Sequence, residues 1–137
     1  MKGMIVDANI LIRAALGTRV RSILEGFHRK TTFSAPDVCL SDARKKIPEI
    51  CRKHGLDQNQ AFDVLTYLEK IVEFVELRHL AFWEQEARER VPRDPDDWPV
   101  VATALALDLP IWTEDRDFFG CGVATWITNT VEIYLRD

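Results

Sequence analysis

Apolar residues along this chain alternate between short runs and helical spacing. Met4-Ile5-Val6, Thr31–Ser34, Ile71–Glu76, Leu109–Thr113 and Gly122–Trp126 are short enough, and bounded sharply enough, to predict strands. Between them apolar side chains recur on one helical face: Ile10, Leu11, Ala14 and Ala15, then Val20, Ile23, Leu24 and Phe27. Further helices are predicted through Val38 to Ile50, over Ala61, Phe62, Leu65 and Leu68, over residues 79–91, and over Val100, Val101, Ala104, Leu105 and Leu107. The boundaries carry their own signals. Asp7 reads as the N-cap of the first helix, which ends near Gly17. Ser34 reads as the cap of the third, with Pro36 in its first turn and its end before Gly55. Asp57-Gln58-Asn59-Gln60 resembles a capping box, and Asp96 or Asp97 opens the helix that carries Pro99 in its first turn. Val131–Leu135 fits a strand or a helix.

Strands alternating with helices predict an α/β sandwich with a mostly parallel sheet. No repeat, linker or low-complexity tract interrupts residues 1–137, so a single domain is expected. In such folds the binding crevice lies beyond the carboxyl ends of the strands. Asp7 directly follows the first strand, and Asp115 directly follows the run Ile111-Trp112-Thr113. Asp42 and Asp97 lie near the starts of helices that can pack around the same edge. Each acid alone has a structural reading: Asp7 and Asp97 as caps, Asp42 as an exposed helical residue, Asp115 and Asp117 as a turn. Gathered at one edge, they repel one another unless a cation lies between them, and a hard divalent ion, Mg²⁺ or Mn²⁺, suits carboxylate oxygens. That chemistry points to metal-dependent attack on a phosphate.

The same residues resemble a known family. Val6-Asp7-Ala8-Asn9-Ile10-Leu11-Ile12 is similar to the opening strand–Asp–x–Asn–helix motif of PIN domains. Asp96-Asp97-Trp98-Pro99-Val100-Val101-Ala102-Thr103-Ala104 resembles their Asp-bearing helix start, and Thr113-Glu114-Asp115-Arg116-Asp117-Phe118 their closing acidic segment. The match covers nearly the whole chain in order. It implies a PIN-like three-layer α/β/α sandwich and a metal-dependent ribonuclease, as in the VapC-type toxins of toxin–antitoxin pairs. It also implies Mg²⁺ or Mn²⁺, RNA as substrate, an antitoxin protein as partner, and a homodimer. Carried over residue by residue, Asp7, Asp97 and Asp115 match three family acids, and Asp117 an additional one. Asp42 stands where the family usually has Glu, with Glu49 on roughly the same helical face as a weaker substitute. Asn9 and Thr113 are candidates to support the acids.

Charge adds an asymmetry. Residues 1–60 hold eleven Lys/Arg against six Asp/Glu, and residues 61–137 hold seven against sixteen, within a net charge of −4. A basic rim beside an acidic centre suits brief contact with a polyanion, and Arg13, Arg44 and Lys45 are candidates to contact phosphates. Trp98, next to Asp97, is a candidate to border the substrate groove. Cys39, Cys51 and Cys121 lack zinc-site spacing and read as reduced thiols. The first seven residues contain no signal-peptide core and no apolar run is long enough to span a membrane, so a cytoplasmic protein is expected. Two rival readings remain: a PIN-like RNA- or protein-interaction module with weakened catalysis, suggested by Asp42, and another metal-dependent phosphoryl-transfer enzyme such as a phosphatase.

Overall fold

The computed structural model describes residues 2–136. Met4, Ile5 and Val6 are consecutive apolar residues, so β1 (Lys2–Val6) has no polar face to give to solvent. All three are fully buried, as in a parallel strand covered on both sides. β2 (Thr31–Pro36) flanks β1 on one side and β4 (Ile111–Trp112) on the other, with β3 (Val72–Val75) and β5 (Thr125–Trp126) outside them. Every pairing in the order β3-β2-β1-β4-β5 is parallel. The chain steps outward from β1 to β3, then returns to the other side of β1. The switch point therefore lies between β1 and β4, which makes their carboxyl ends the natural binding edge.

Helices cover the two faces in the expected α/β/α arrangement. α1 (Ala8–Leu16), α2 (Arg19–Phe27), α3 (Asp37–His54) and α4 (Gln58–Leu68) pack as one group around α1. α5 (Glu84–Arg90) and α6 (Trp98–Leu107) form another with the 3₁₀ segment Leu77–Trp83. α6 lies against β1, β2 and β4, and every residue from Trp98 to Ala104 is buried. A helix apolar on all sides has nowhere else to go. α7 (Val131–Arg136) closes the chain, and Tyr134 Oη donates to the Gly3 carbonyl at 2.8 Å. Gly3 lets β1 pass close to Leu109: a Cβ there would lie 2.6 Å from Leu109 Cδ1 and would force that side chain to move.

Several boundaries differ from those the local signals predict. Ser34 does not cap α3. It is buried in β2, paired with Ile5 on one side and Glu73 on the other, because β2 has neighbours along both edges that hold it extended. Pro36 ends that strand and occupies the cap position of α3, where its missing N–H costs nothing. Residues 79–91 do not form one helix but divide between the 3₁₀ segment and α5. The strand expected over Gly122–Trp126 is reduced to Thr125–Trp126, and the open choice at Val131–Leu135 resolves to helix. Asp57 caps α4 as expected, accepting from the N–H groups of Asn59 and Gln60.

Phe33 and Trp112 are fully buried on either side of β1, with ring centroids 6.2 Å apart. Phe33→Ala leaves a cavity at the centre of the sheet and is expected to cost about 3–5 kcal/mol. Urea unfolding followed by tryptophan fluorescence measures this, and a loss under about 1 kcal/mol would contradict the central placement of Phe33.

Candidate metal centre

Asp7 occupies the junction of β1 and α1 and is 4% exposed. Its extended backbone places one carboxylate oxygen, Oδ1, over the first turn of α1, where it accepts the Ile10 N–H at 2.9 Å. Oδ2 accepts the Thr113 hydroxyl. Thr113 is fully buried just beyond β4, and its N–H donates to the Trp126 carbonyl at 3.0 Å. With its proton given to Asp7, the same hydroxyl oxygen accepts the Asp115 N–H at 2.9 Å. Asp115 Oδ1 in turn accepts the Asp117 N–H at 2.9 Å and opens the 3₁₀ segment Arg116–Phe118, which buried Phe118 anchors in the core.

Asp97 approaches from the opposite side, at the end of the 3₁₀ turn Pro95–Asp97 that runs into α6. Its side chain makes no capping bond. Oδ2 is instead buried without a hydrogen-bond partner. Carboxylate oxygens of Asp94, Asp97 and Asp117 lie within 4.8 Å of one another. The cavity beside them, about 140 Å³, is lined by Asp7, Asp42, Asp94, Asp96, Asp97 and Asp115 together with Asn9, Cys39 and Lys46.

Crowding shows in the acidities. Burial raises the Asp97 carboxyl to about 7, with further increments from the negative charges of Asp94, Asp115, Asp117 and Asp7. Burial also raises Asp7 to about 6, the Asp115 charge adding to it while the Thr113 and Ile10 hydrogen bonds pull the other way. Cys39 is pushed up by burial and by the charges of Asp7, Asp42 and Asp97 among its causes, so its thiol stays protonated. An all-carboxylate donor set, a buried oxygen with no partner and two acids that resist ionising fit a hard divalent cation better than a softer metal.

The sequence candidates divide by position. Asp7, Asp97 and Asp115 line one cavity, while the closely spaced group of three carboxylates is Asp94, Asp97 and Asp117, with Arg93 Nε 3.5 Å from Asp117 Oδ1. Asp42 is exposed on the α3 wall of the cavity, and Asn9 is exposed at its rim. Glu49 lines no part of the cavity and pairs with Arg52 and Lys53. Arg44 is 2.8 Å from Glu69, Lys45 is exposed away from the cavity, and Arg13 lines a neighbouring groove. Trp98 is buried beneath Arg88 rather than bordering the cavity. Two participants escape a sequence reading. Asp94 looks like background charge, and its position depends on how residues 91–97 fold toward Asp117. Lys46 stands four residues after Asp42, a spacing that puts both on one helical face and could have singled it out from its basic neighbours.

The chain belongs to the PIN-domain family, whose match runs over residues 5–136. Among solved structures, it is similar to VapBC2 from Rickettsia felis bound to a DNA fragment from its promoter, at 13% identity and a TM-score of 0.70, covering 91% of this chain and 98% of that one. PAE2754 from Pyrobaculum aerophilum is 18% identical with a TM-score of 0.72, covering 98% and 90%. A toxin–antitoxin complex from Klebsiella pneumoniae is 17% identical with a TM-score of 0.61, covering 91% and 97%. At these identities the shared property is the fold. No protein of curated function matches the chain in sequence.

Raised acidities set a pH dependence. Asp7 holds its proton more tightly folded than unfolded, so its contribution to stability is complete below about pH 4 and is lost as pH rises through about 6. For metal-free protein the loss is about 3 kcal/mol. Urea unfolding in chelator between pH 4.5 and 8 is expected to show this decline in wild type and a flatter profile in Asp7→Asn. Parallel profiles would refute the assignment.

Proposed function

We propose that the protein is a metal-dependent ribonuclease that hydrolyses RNA phosphodiester bonds. The observation that carries this reading is the acidic cavity lined by Asp7, which follows β1, Asp115, which follows β4, and Asp97, which precedes α6, with Asp97 Oδ2 buried and unpartnered. Asp7, Asp97 and Asp115 would hold Mg²⁺ or Mn²⁺, with Asp94 and Asp117 beside them. Such an ion, when bound, supplies Lewis acidity toward a phosphate oxygen and toward an attacking water.

The remaining work falls to the chain itself. Ile10 N–H and the Thr113 hydroxyl fix the Asp7 carboxylate in one orientation. Thr113 sets Asp115 relative to Asp7 through a single shared oxygen. Burial of Asp7 and Thr113 keeps water from competing for these bonds. Asp97 must release its proton to serve as a ligand, so binding of the ion to the metal-free protein weakens as pH falls below about 7. No histidine or serine lines the cavity and Cys39 is held as a thiol, so the described residues offer no Ser–His or Cys–His nucleophile pair there. The toxin–antitoxin assemblies among the structural neighbours support an antitoxin protein as partner.

One observation favours a second reading. Asp42, shorter than the family's usual Glu, is exposed and outside the group of three closely spaced carboxylates. An interaction module that has lost catalysis would bind metal weakly, so calorimetric titration with Mn²⁺ separates the two. On the ribonuclease reading, Asp7→Asn retains the fold and loses cleavage of RNA oligonucleotides by roughly a hundredfold or more, while Thr113→Val lowers kcat by roughly 10–100-fold as an orienting residue. Undiminished Mn²⁺-dependent cleavage by purified Asp7→Asn would sink the assignment.

A further inference from the structure

We propose that the groove adjoining the acidic cavity is a second phosphate subsite, which takes the backbone of a single-stranded RNA beyond the nucleotide facing the carboxylates. This inference rests on the ribonuclease reading and adds to it the course of the strand.

The groove encloses about 540 Å³ and is continuous in sequence with the cavity on three elements. On α1, Asn9 lines the cavity and Arg13, one turn later on the same face, lines the groove. On α3, Lys46 lines the cavity and Ile50, again one turn later, lines the groove. On the loop after β4, Asp115 faces the cavity and Glu114 the groove. A strand leaving the carboxylates along α1 therefore meets Lys46, then Arg13, then Arg19.

Charge favours a polyanion in the groove, where Arg13 and Arg19 stand against the single carboxylate of Glu114. Six aspartates line the cavity, and Lys46 is the only cation among the lining residues. Other nearby cations are engaged: Arg44 with Glu69, Arg88 with Glu84 and Asp96, and Arg93 with Asp117. Among the described residues Lys46, Arg13 and Arg19 take part in no ion pair. Arg19 gives one N–H to Asn129 Oδ1 at 3.0 Å, which steadies the side chain and leaves its other donors available. The one carboxylate in the groove, Glu114, accepts the Thr128 N–H at 2.6 Å. Arginine forks pair with phosphate, and such contacts position a strand without reading its sequence.

The test measures binding of a fluorescein-labelled single-stranded RNA by anisotropy in chelator, where metal-dependent cleavage is silent, across a salt series. Arg13 and Arg19 are exposed, so their replacement leaves the core untouched. The variant Arg13→Ala/Arg19→Ala is expected to bind roughly tenfold more weakly, with a salt slope shallower by about 1.4, because two phosphate contacts are lost. Arg13→Lys/Arg19→Lys retains most of the slope, and Mn²⁺ affinity stays at the wild-type value in both. Unchanged affinity and slope in the alanine variant would overturn the subsite, as would the absence of RNA binding by wild type; the first result would leave the groove to a protein partner. Wild type that binds RNA through these arginines yet never cleaves it with Mn²⁺ keeps the subsite and discards the ribonuclease reading. Cleavage by wild type with full RNA affinity in the alanine variant does the reverse.

Discussion

One hydroxyl group holds the site together. Thr113 gives its proton to Asp7 and accepts from the backbone of Asp115, so two acidic residues 108 positions apart in sequence share a single oxygen between them. β1 and β4 are neighbours in the sheet, paired at Ile5–Ile111 and Val6–Trp112, and Thr113 continues that register by one residue. The position of the acids is thereby an extension of sheet pairing. Gathering negative charge at one edge costs free energy, and the raised acidities of Asp7 and Asp97 are a direct expression of that cost. What offsets it is the apolar mass behind the site: the buried side chains of Met4, Ile5 and Val6, the buried and largely apolar stretch of α6 and the Phe33–Trp112 contact.

Much of this was legible because strand–Asp signals are local. Val6-Asp7 and Thr113-Glu114-Asp115 each mark an exit from a strand, and parallel topology says that such exits share an edge. The family resemblance added order and spacing to that argument, and the match over residues 5–136 and the α/β/α fold bear it out. What stayed hidden depends on tertiary contacts. Ser34 and Pro36 carry a good capping signal, yet pairing on both edges of β2 holds Ser34 in the strand. Asp94 is indistinguishable from surrounding charge until the loop brings it beside Asp97 and Asp117. Arg44, Lys45 and Lys46 are consecutive, and about 100° of helical rotation separates each from the next, so composition alone cannot say which one faces the cavity.

The α3 wall carries Asp42, where the sequence resemblance leads to the expectation of a Glu. A Glu there would extend one carbon further toward the other acids. Asp42 instead stays in solvent, with Lys46 one turn away. The wall thus presents one negative and one positive side chain to the cavity, with no ion pair between them, whereas the other charged lining residues are all aspartates.

The sheet itself limits how the molecule can associate. Its two outer strands are short, four residues in β3 and two in β5. A rim of that length presents too few unpaired amides for another chain to add a strand, which is one of the ways proteins guard against edge-to-edge stacking. Beyond β5 the chain turns at Ile127–Thr130 and enters α7. Strand addition is therefore disfavoured, and helical surfaces are left free of that constraint, since their side chains can change without disturbing the register on which the acidic centre depends.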